Sequence, residues 1–112
     1  MKLVLVRHAK AIDRIKALLK GINDQDRYLT KKGRQKFSEY VKENKKFFLK
    51  FDQYACSEYL RAEQSLDVML EALYASDAVK FHRTKIKKIT PDDLPPYFIK
   101  WVHNQKINSA LI

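Results

Sequence analysis

Short apolar runs alternating with helix-patterned stretches constrain this chain more than any other feature of its sequence. Leu3-Val4-Leu5-Val6 is continuous and valine-bearing, the pattern of a strand covered on both faces in a parallel sheet. It stops abruptly at Arg7-His8. Thr30 then stands as the N-cap of a helix whose apolar positions Phe37, Tyr40, Val41, Phe47 and Phe48 recur near the helical period, with lysines on the other side. Tyr54 to Cys56 reads as a second strand, and Ser57 as the cap of a helix presenting Leu66, Met69, Leu70 and Leu73 on one face. A third strand is expected over Ala78 to Phe81, continuing as far as Ile89. Pro91 to Pro96 supplies a break before a short helix carrying Phe98, Trp101 and Val102, and Ala110-Leu111-Ile112 opens one more apolar strand. Between Ala9 and Arg27, Ile12, Ile15, Leu18 and Leu19 fit an amphipathic turn or two ending at Gly21. A polar Asn23-Asp24-Gln25-Asp26 loop follows and is expected to act as a mobile flap. The alternation predicts an α/β layered domain with a mostly parallel sheet and right-handed crossovers.

At 112 residues the chain is expected to form one domain, 1–112. Its 46% hydrophobic and 32% charged residues suit a folded globular protein rather than a disordered or membrane chain. Arg7-His8 interrupts the first apolar run before a secretory segment can form, and no later stretch approaches the roughly 20 apolar residues of a membrane span. With the single Cys56 lacking an intrachain partner, a cytoplasmic location is expected. His8, His82 and His103 are isolated from one another and from Cys56, so neither a metal nor any other cofactor is expected. Two glycines in the whole chain exclude a glycine-rich nucleotide cradle. The net charge of +10 attracts anions, which admits phosphorylated molecules, nucleic acid or acidic proteins as partners. Lys31, Lys32, Lys36, Lys45 and Lys46 equally fit a solvated helix face, and no nucleic-acid-reading motif accompanies the basic residues.

Two segments carry the chemistry. Ligands of open parallel sheets bind beyond the carboxyl ends of strands, where Arg7-His8 falls. Arginine offers a planar fork to phosphate oxygens, while a neutral imidazole nitrogen can attack phosphorus or move a proton. The second segment, Ser57 to Ser65, again follows a strand, and places Arg61 in the first turn of a helix. A cation there opposes the helix dipole by about 0.3–1 kcal/mol, a penalty that an anion bound beside it would reverse. A surface pair of Arg61 with Glu58 or Glu63 is the plainer alternative.

Together these segments resemble the histidine phosphatase superfamily, and within it the small SixA-like phosphohistidine phosphatases. Leu3-Val4-Leu5-Val6-Arg7-His8-Ala9-Lys10 looks like the opening strand and arginine-histidine motif, with alanine where glycine is usual. Asp26-Arg27-Tyr28-Leu29-Thr30-Lys31-Lys32-Gly33 is similar to the Arg-x-Leu-Thr-x-x-Gly element, and Cys56 to Ser65 to the Ser-x-x-x-Arg-Ala-x-Gln-Thr segment. The resemblance implies a three-layer α/β/α sandwich, phosphoglycerate mutase-like. It implies a phosphatase in which His8 takes the phosphoryl group as a phosphohistidine intermediate while Arg7 and Arg61 bind its oxygens. Candidate proton donors are Asp92, Asp93 and Glu58. The implied partners are a phosphorylated protein, with phosphohistidine favoured, and a phosphate or sulfate ion in the pocket, but neither membrane nor nucleic acid. The family's second histidine, in a Gly/Ser-His-x-Pro motif on the last strand, has no counterpart in these 112 residues, and neither His82 nor His103 matches it. The domain is therefore expected to be C-terminally incomplete. The alternative is a catalytically impaired phosphate-binding or protein-interaction module of the same fold.

Overall fold

The computed structural model describes residues 2–49, 51, 53–74, 83–86 and 109–111. Among the described residues four strands, β1 (Lys2–Val4), β2 (Gln53–Ser57), β3 (Arg83–Ile86) and β4 (Ser109–Leu111), form one sheet in the order β1-β4-β2-β3. Each pairing is parallel. Because parallel neighbours cannot be joined by a hairpin, the chain must cross over between strands, and helices lie between β1 and β2. Leu111 lies opposite Val4 on one side and Tyr54 on the other, so the carboxyl ends of β1, β4 and β2 reach the same edge. With its helices the sheet makes an α/β fold.

Helix α1 (Arg14–Leu19) is followed by a 3-10 turn at Asp24–Asp26, then by α2 (Lys31–Glu43), α3 (Lys45–Phe48) and α4 (Leu60–Leu73). Thr30 caps α2 as expected, its Oγ1 accepting from the Gly33 N–H at 2.9 Å. One continuous helix through Phe48 does not form. Asn44 Nδ2 donates to the Tyr40 carbonyl at 2.9 Å, and this competition for a helical acceptor accompanies the break between α2 and α3. The break leaves Tyr40 and Phe47 exposed while Val41 and Phe48 enter the core.

The apolar face expected of α4 is the buried one. Leu66, Met69, Leu70 and Leu73 recur at helical spacing and meet Val41, Phe48, Tyr54 and Cys56. Full burial of one such side chain contributes about 1.5–3 kcal/mol, so this cluster fixes α4, and with it Arg61, against β2. Tyr54 is buried, donates its hydroxyl to the Phe48 carbonyl, and has a pKa raised above the usual phenol value by burial and by its bond to Tyr74.

Other expectations shift. β1 ends at Val4 and Leu5 is exposed, so the first apolar run is not wholly strand. Ser57 is not a helix cap: β2 runs through it, its Oγ accepts from the Tyr59 N–H at 3.3 Å, and α4 begins three residues later. The third strand falls at Arg83–Ile86, in the continuation expected toward Ile89, while Ala78 to Phe81 lies outside the described residues. So do Pro91 to Pro96 and the helix of Phe98, Trp101 and Val102. β4 occupies the expected last strand, though Ile112 itself is not described. The amphipathic reading of this stretch holds at Ile12, which is buried, but inverts within α1, where Ala17 is buried and Ile15, Leu18 and Leu19 are 68%, 76% and 82% exposed. Gly21, at φ +72°, supplies the left-handed turn that ends this stretch.

Candidate active site

Arg7 and His8 leave the carboxyl end of β1 on a segment held from below. The Ala9 N–H donates to Ser65 Oγ at 2.8 Å, and that hydroxyl donates onward to the Arg61 main-chain oxygen at 2.7 Å. Ser65 is thus a buried strut between the His8 segment and α4. A second strut sits three residues past Arg61, where Gln64 Oε1 accepts from the Leu29 N–H at 2.8 Å. On the far side, the Lys10 carbonyl accepts from the Thr30 N–H at 3.0 Å and from Thr30 Oγ1 at 3.3 Å.

This support determines the chemistry of His8. Its Nδ1 lies 2.7 Å from the Ala9 carbonyl, which can only accept, so Nδ1 carries the hydrogen and Nε2 keeps its lone pair. Burial lowers the His8 pKa below the ordinary histidine value of 6.5; the bond to Ala9 opposes the shift, and the Arg61, Arg7 and Arg27 charges reinforce it. A neutral imidazole whose Nε2 has no hydrogen-bond partner among the described residues, with three guanidinium groups acting on it, is equipped to attack an electrophile that brings its own negative charge.

Arg61 is only 7% exposed, so it is not the surface partner of an acidic neighbour. Its Nη1 donates to the Asp24 main-chain oxygen at 2.7 Å and its Nη2 lies 3.4 Å from Asp24 Oδ2. Asp24 Oδ1 meets Arg27 Nη1 at 2.9 Å, and Arg27 Nε donates to the Ile12 carbonyl at 3.1 Å. The Arg61 guanidinium also lies over the Tyr59 ring, 4.8 Å from its centroid. Asp24 therefore supplies the negative charge that offsets a cation in the first turn of α4, and the guanidinium retains more donors than Asp24 takes up. Burial pushes the Asp24 carboxyl up, but the two arginines outweigh it and hold it below the usual carboxylate range. The segment read as a mobile flap is instead fastened, by Asp24 to α4 and by the Ile12 N–H donating to the Tyr28 carbonyl at 2.8 Å.

Two hollows border His8. One, of about 240 Å³, runs between the ends of β1 and β2 beneath Arg7 and His8, with apolar walls that include Val6, Ala55 and Met69. The other, of about 430 Å³, opens among Arg7, Lys10, Arg14 and Arg27. Arg7 and His8 line both hollows; Arg61 lines neither, its guanidinium being turned to Asp24, and acts on His8 through its charge. Glu58 is exposed on the bend after β2 and lines neither hollow. Asp92, Asp93, His82 and His103 lie outside the described residues. Sequence reasoning gave no role to Asp24, Gln64 or Ser65, and Arg27 entered only as part of a motif. Among the described residues no group of acidic, histidine and cysteine side chains could hold a metal ion, and no helix is long and apolar enough to cross a membrane.

No family model and no curated protein matches the sequence. Solved structures do match the fold. A protein of Agrobacterium tumefaciens assigned as the phosphohistidine phosphatase SixA superposes with a TM-score of 0.76 at 18% identity, over 97% of this chain and 65% of its own. The protein histidine phosphatase SixA complexed with tungstate gives 0.71 at 21% identity, over 99% of this chain and 67% of its own. A third, assigned as SixA of Nakamurella multipartitia, gives 0.59 at 21%, over 97% and 55%. The chain shares the fold of these SixA structures and spans about two thirds of the length of the first two.

Proposed function

We propose that this domain removes a phosphoryl group from phosphohistidine on a protein, with His8 as the nucleophile. The observation that carries the reading is the His8 imidazole, fixed through Nδ1 with Nε2 free and acted on by three guanidinium groups. Nε2 attacks phosphorus, the bond from phosphorus to the substrate nitrogen breaks, and the departing imidazole takes up a proton. Water then hydrolyses the phosphorylated His8, releasing inorganic phosphate and restoring the imidazole. Arg7, Arg61 and Arg27 bind the equatorial oxygens, where fixed positive charge stabilises the transition state without a metal. Glu58 is the candidate proton donor within the described residues, with Asp92 and Asp93 beyond them. A departing imidazole is a good leaving group, which reduces the demand on any donor. One neighbour of this fold is complexed with tungstate, an oxyanion of phosphate-like shape, which supports oxyanion binding by a protein of this fold. A single domain of three α/β/α layers is part of the same reading.

A second reading, a phosphate-binding module with little turnover, is favoured by the engagement of Arg61 with Asp24. Hydrolysis of an aryl phosphate by the chain beside a His8→Ala variant, with tungstate binding measured on both, separates the two. Loss of turnover in the variant supports the enzyme. Equal rates with tungstate still bound support the module, and no oxyanion binding at all removes both.

A further inference from the structure

The hollow that opens from His8 toward Arg14 and Arg27 does not end there. It shares Lys10, Ala11 and Asp13 with a neighbouring hollow of about 500 Å³ whose walls carry Lys16, Lys20 and Lys32. A basic channel therefore leads from the candidate active site along α1. The same helix presents Ile15, Leu18 and Leu19 outward, more than two thirds exposed, although it buries Ala17; of the three, Ile15 and Leu19 lie next to Lys16 and Lys20 on the helix surface and Leu18 lies away from them. Three large aliphatic side chains on one short helix, bordered by lysines, are costly to leave in water and contribute little to this domain's own core.

We propose that the channel and the outer face of α1 form the docking surface for the substrate protein, whose phosphorylated residue is flanked by acidic side chains and by an apolar one. The proposal rests on the phosphatase reading above. With the phosphoryl group at His8, the flanking substrate chain runs past Lys10. Its carboxylates lie among Lys16, Lys20 and Lys32, and its apolar side chain meets Ile15 and Leu19, one turn apart on the flank of α1 next to Lys16 and Lys20. Charge complementarity selects this occupant: the channel's net charge is positive and rim charges of this kind steer encounter and set partner choice. Nucleic acid is the poorer fit, because single strands are held by stacking on aromatic platforms and Tyr28 is the one ring bordering the channel among the described residues. A lipid surface is also poorer, since a six-residue helix buries too little apolar area to hold a membrane.

The test uses two fluorescent peptides containing a non-hydrolysable phosphohistidine analogue, one with Glu and Leu flanks and one with Ser and Gly flanks, titrated into the chain at two salt concentrations. The variants are Lys16→Gln/Lys20→Gln and Ile15→Ala/Leu19→Ala, all at exposed positions. Tungstate binding by calorimetry reports on the His8 pocket separately. The expected result is that each double variant weakens the Glu/Leu peptide at least tenfold while leaving tungstate and the Ser/Gly peptide within twofold. The lysine variant should also lose most of the salt dependence. Equal affinity of the parent for both peptides overturns the proposal, as does an unchanged affinity in the variants. Tighter binding of a single-stranded oligonucleotide or of phosphatidylglycerol vesicles than of the Glu/Leu peptide overturns it as well. Failure of tungstate to bind the parent would instead remove the phosphatase reading, and the docking proposal with it.

Discussion

Gly33→Ala is the substitution in which fold and site are most directly coupled. An alanine Cβ at this helix position would fall inside the van der Waals boundary of the Lys10 carbonyl oxygen, closer than real Cβ atoms come, and 3.0 Å from Thr30 Oγ1. Two effects oppose each other. Alanine is a better helix former than glycine by about 0.8–1 kcal/mol in a helix interior, less at this first-turn position. Forcing a methyl group into a packed contact costs about 1–3 kcal/mol, because the obstacle is main chain rather than the end of a flexible side chain. The clash should win, leaving the variant less stable by about 1–2 kcal/mol. Relief requires the Lys10 carbonyl to retreat by something on the order of 1 Å, which strains its bonds from Thr30 and carries His8, two residues away, with it; misplacement of that size costs about 10²-fold in rate. Urea unfolding followed by circular dichroism should show a lower midpoint at unchanged slope. Aryl phosphate hydrolysis should fall far more than the fraction unfolded explains. A variant as stable as the parent, with unaltered turnover and tungstate affinity, would refute the reasoning, since it would mean that the Lys10 carbonyl does not press on Gly33.

Further outcomes follow from the same structure. In NMR titration, His8 should show a midpoint below 6.5 that rises toward that value in Arg7→Ala, because a repelling charge has gone. Between the folded midpoint and 6.5 the unfolded chain binds more protons, so this group's contribution to stability should grow with pH there. Asp24→Asn should cost about 0.5–1 kcal/mol at neutral pH, a modest figure because the Asp24 side chain is 44% exposed. The folded Asp24 pKa is depressed, so the difference from the parent should persist above the unfolded value of 3.8 and vanish as pH falls through the folded one. A difference that grows on acidification would count against the Asp24 pairing. Leu70→Ala should destabilise the chain by about 2–5 kcal/mol in denaturant titration, since Leu70 is fully buried in the α4 cluster. Ser65→Ala should cost about 1–3 kcal/mol by leaving the Ala9 N–H without its acceptor, and should lower turnover by more than that loss of folded protein explains.

What the sequence determined on its own is local. The helical spacing of Leu66, Met69, Leu70 and Leu73 predicted the buried face of α4, and Thr30 predicted the start of α2, because periodicity and capping depend on residues within one or two turns. The apolar run ahead of Arg7-His8 put a strand before that pair for the same reason, though β1 stops three residues short of Arg7. Only the tertiary structure decided how the site is held. Asp24 is 37 residues from Arg61, Leu29 is 35 from Gln64, and Ala9 is 56 from Ser65. No local pattern joins such pairs; they meet because α4 is pinned to β2 by its core face and turns its polar side toward the loops after β1. The exposure of Ile15, Leu18 and Leu19 is of the same kind. Spacing predicts that a helix has an apolar side, but whether that side faces the core depends on what the rest of the fold places against it, and here Ala17 is the residue that meets the interior.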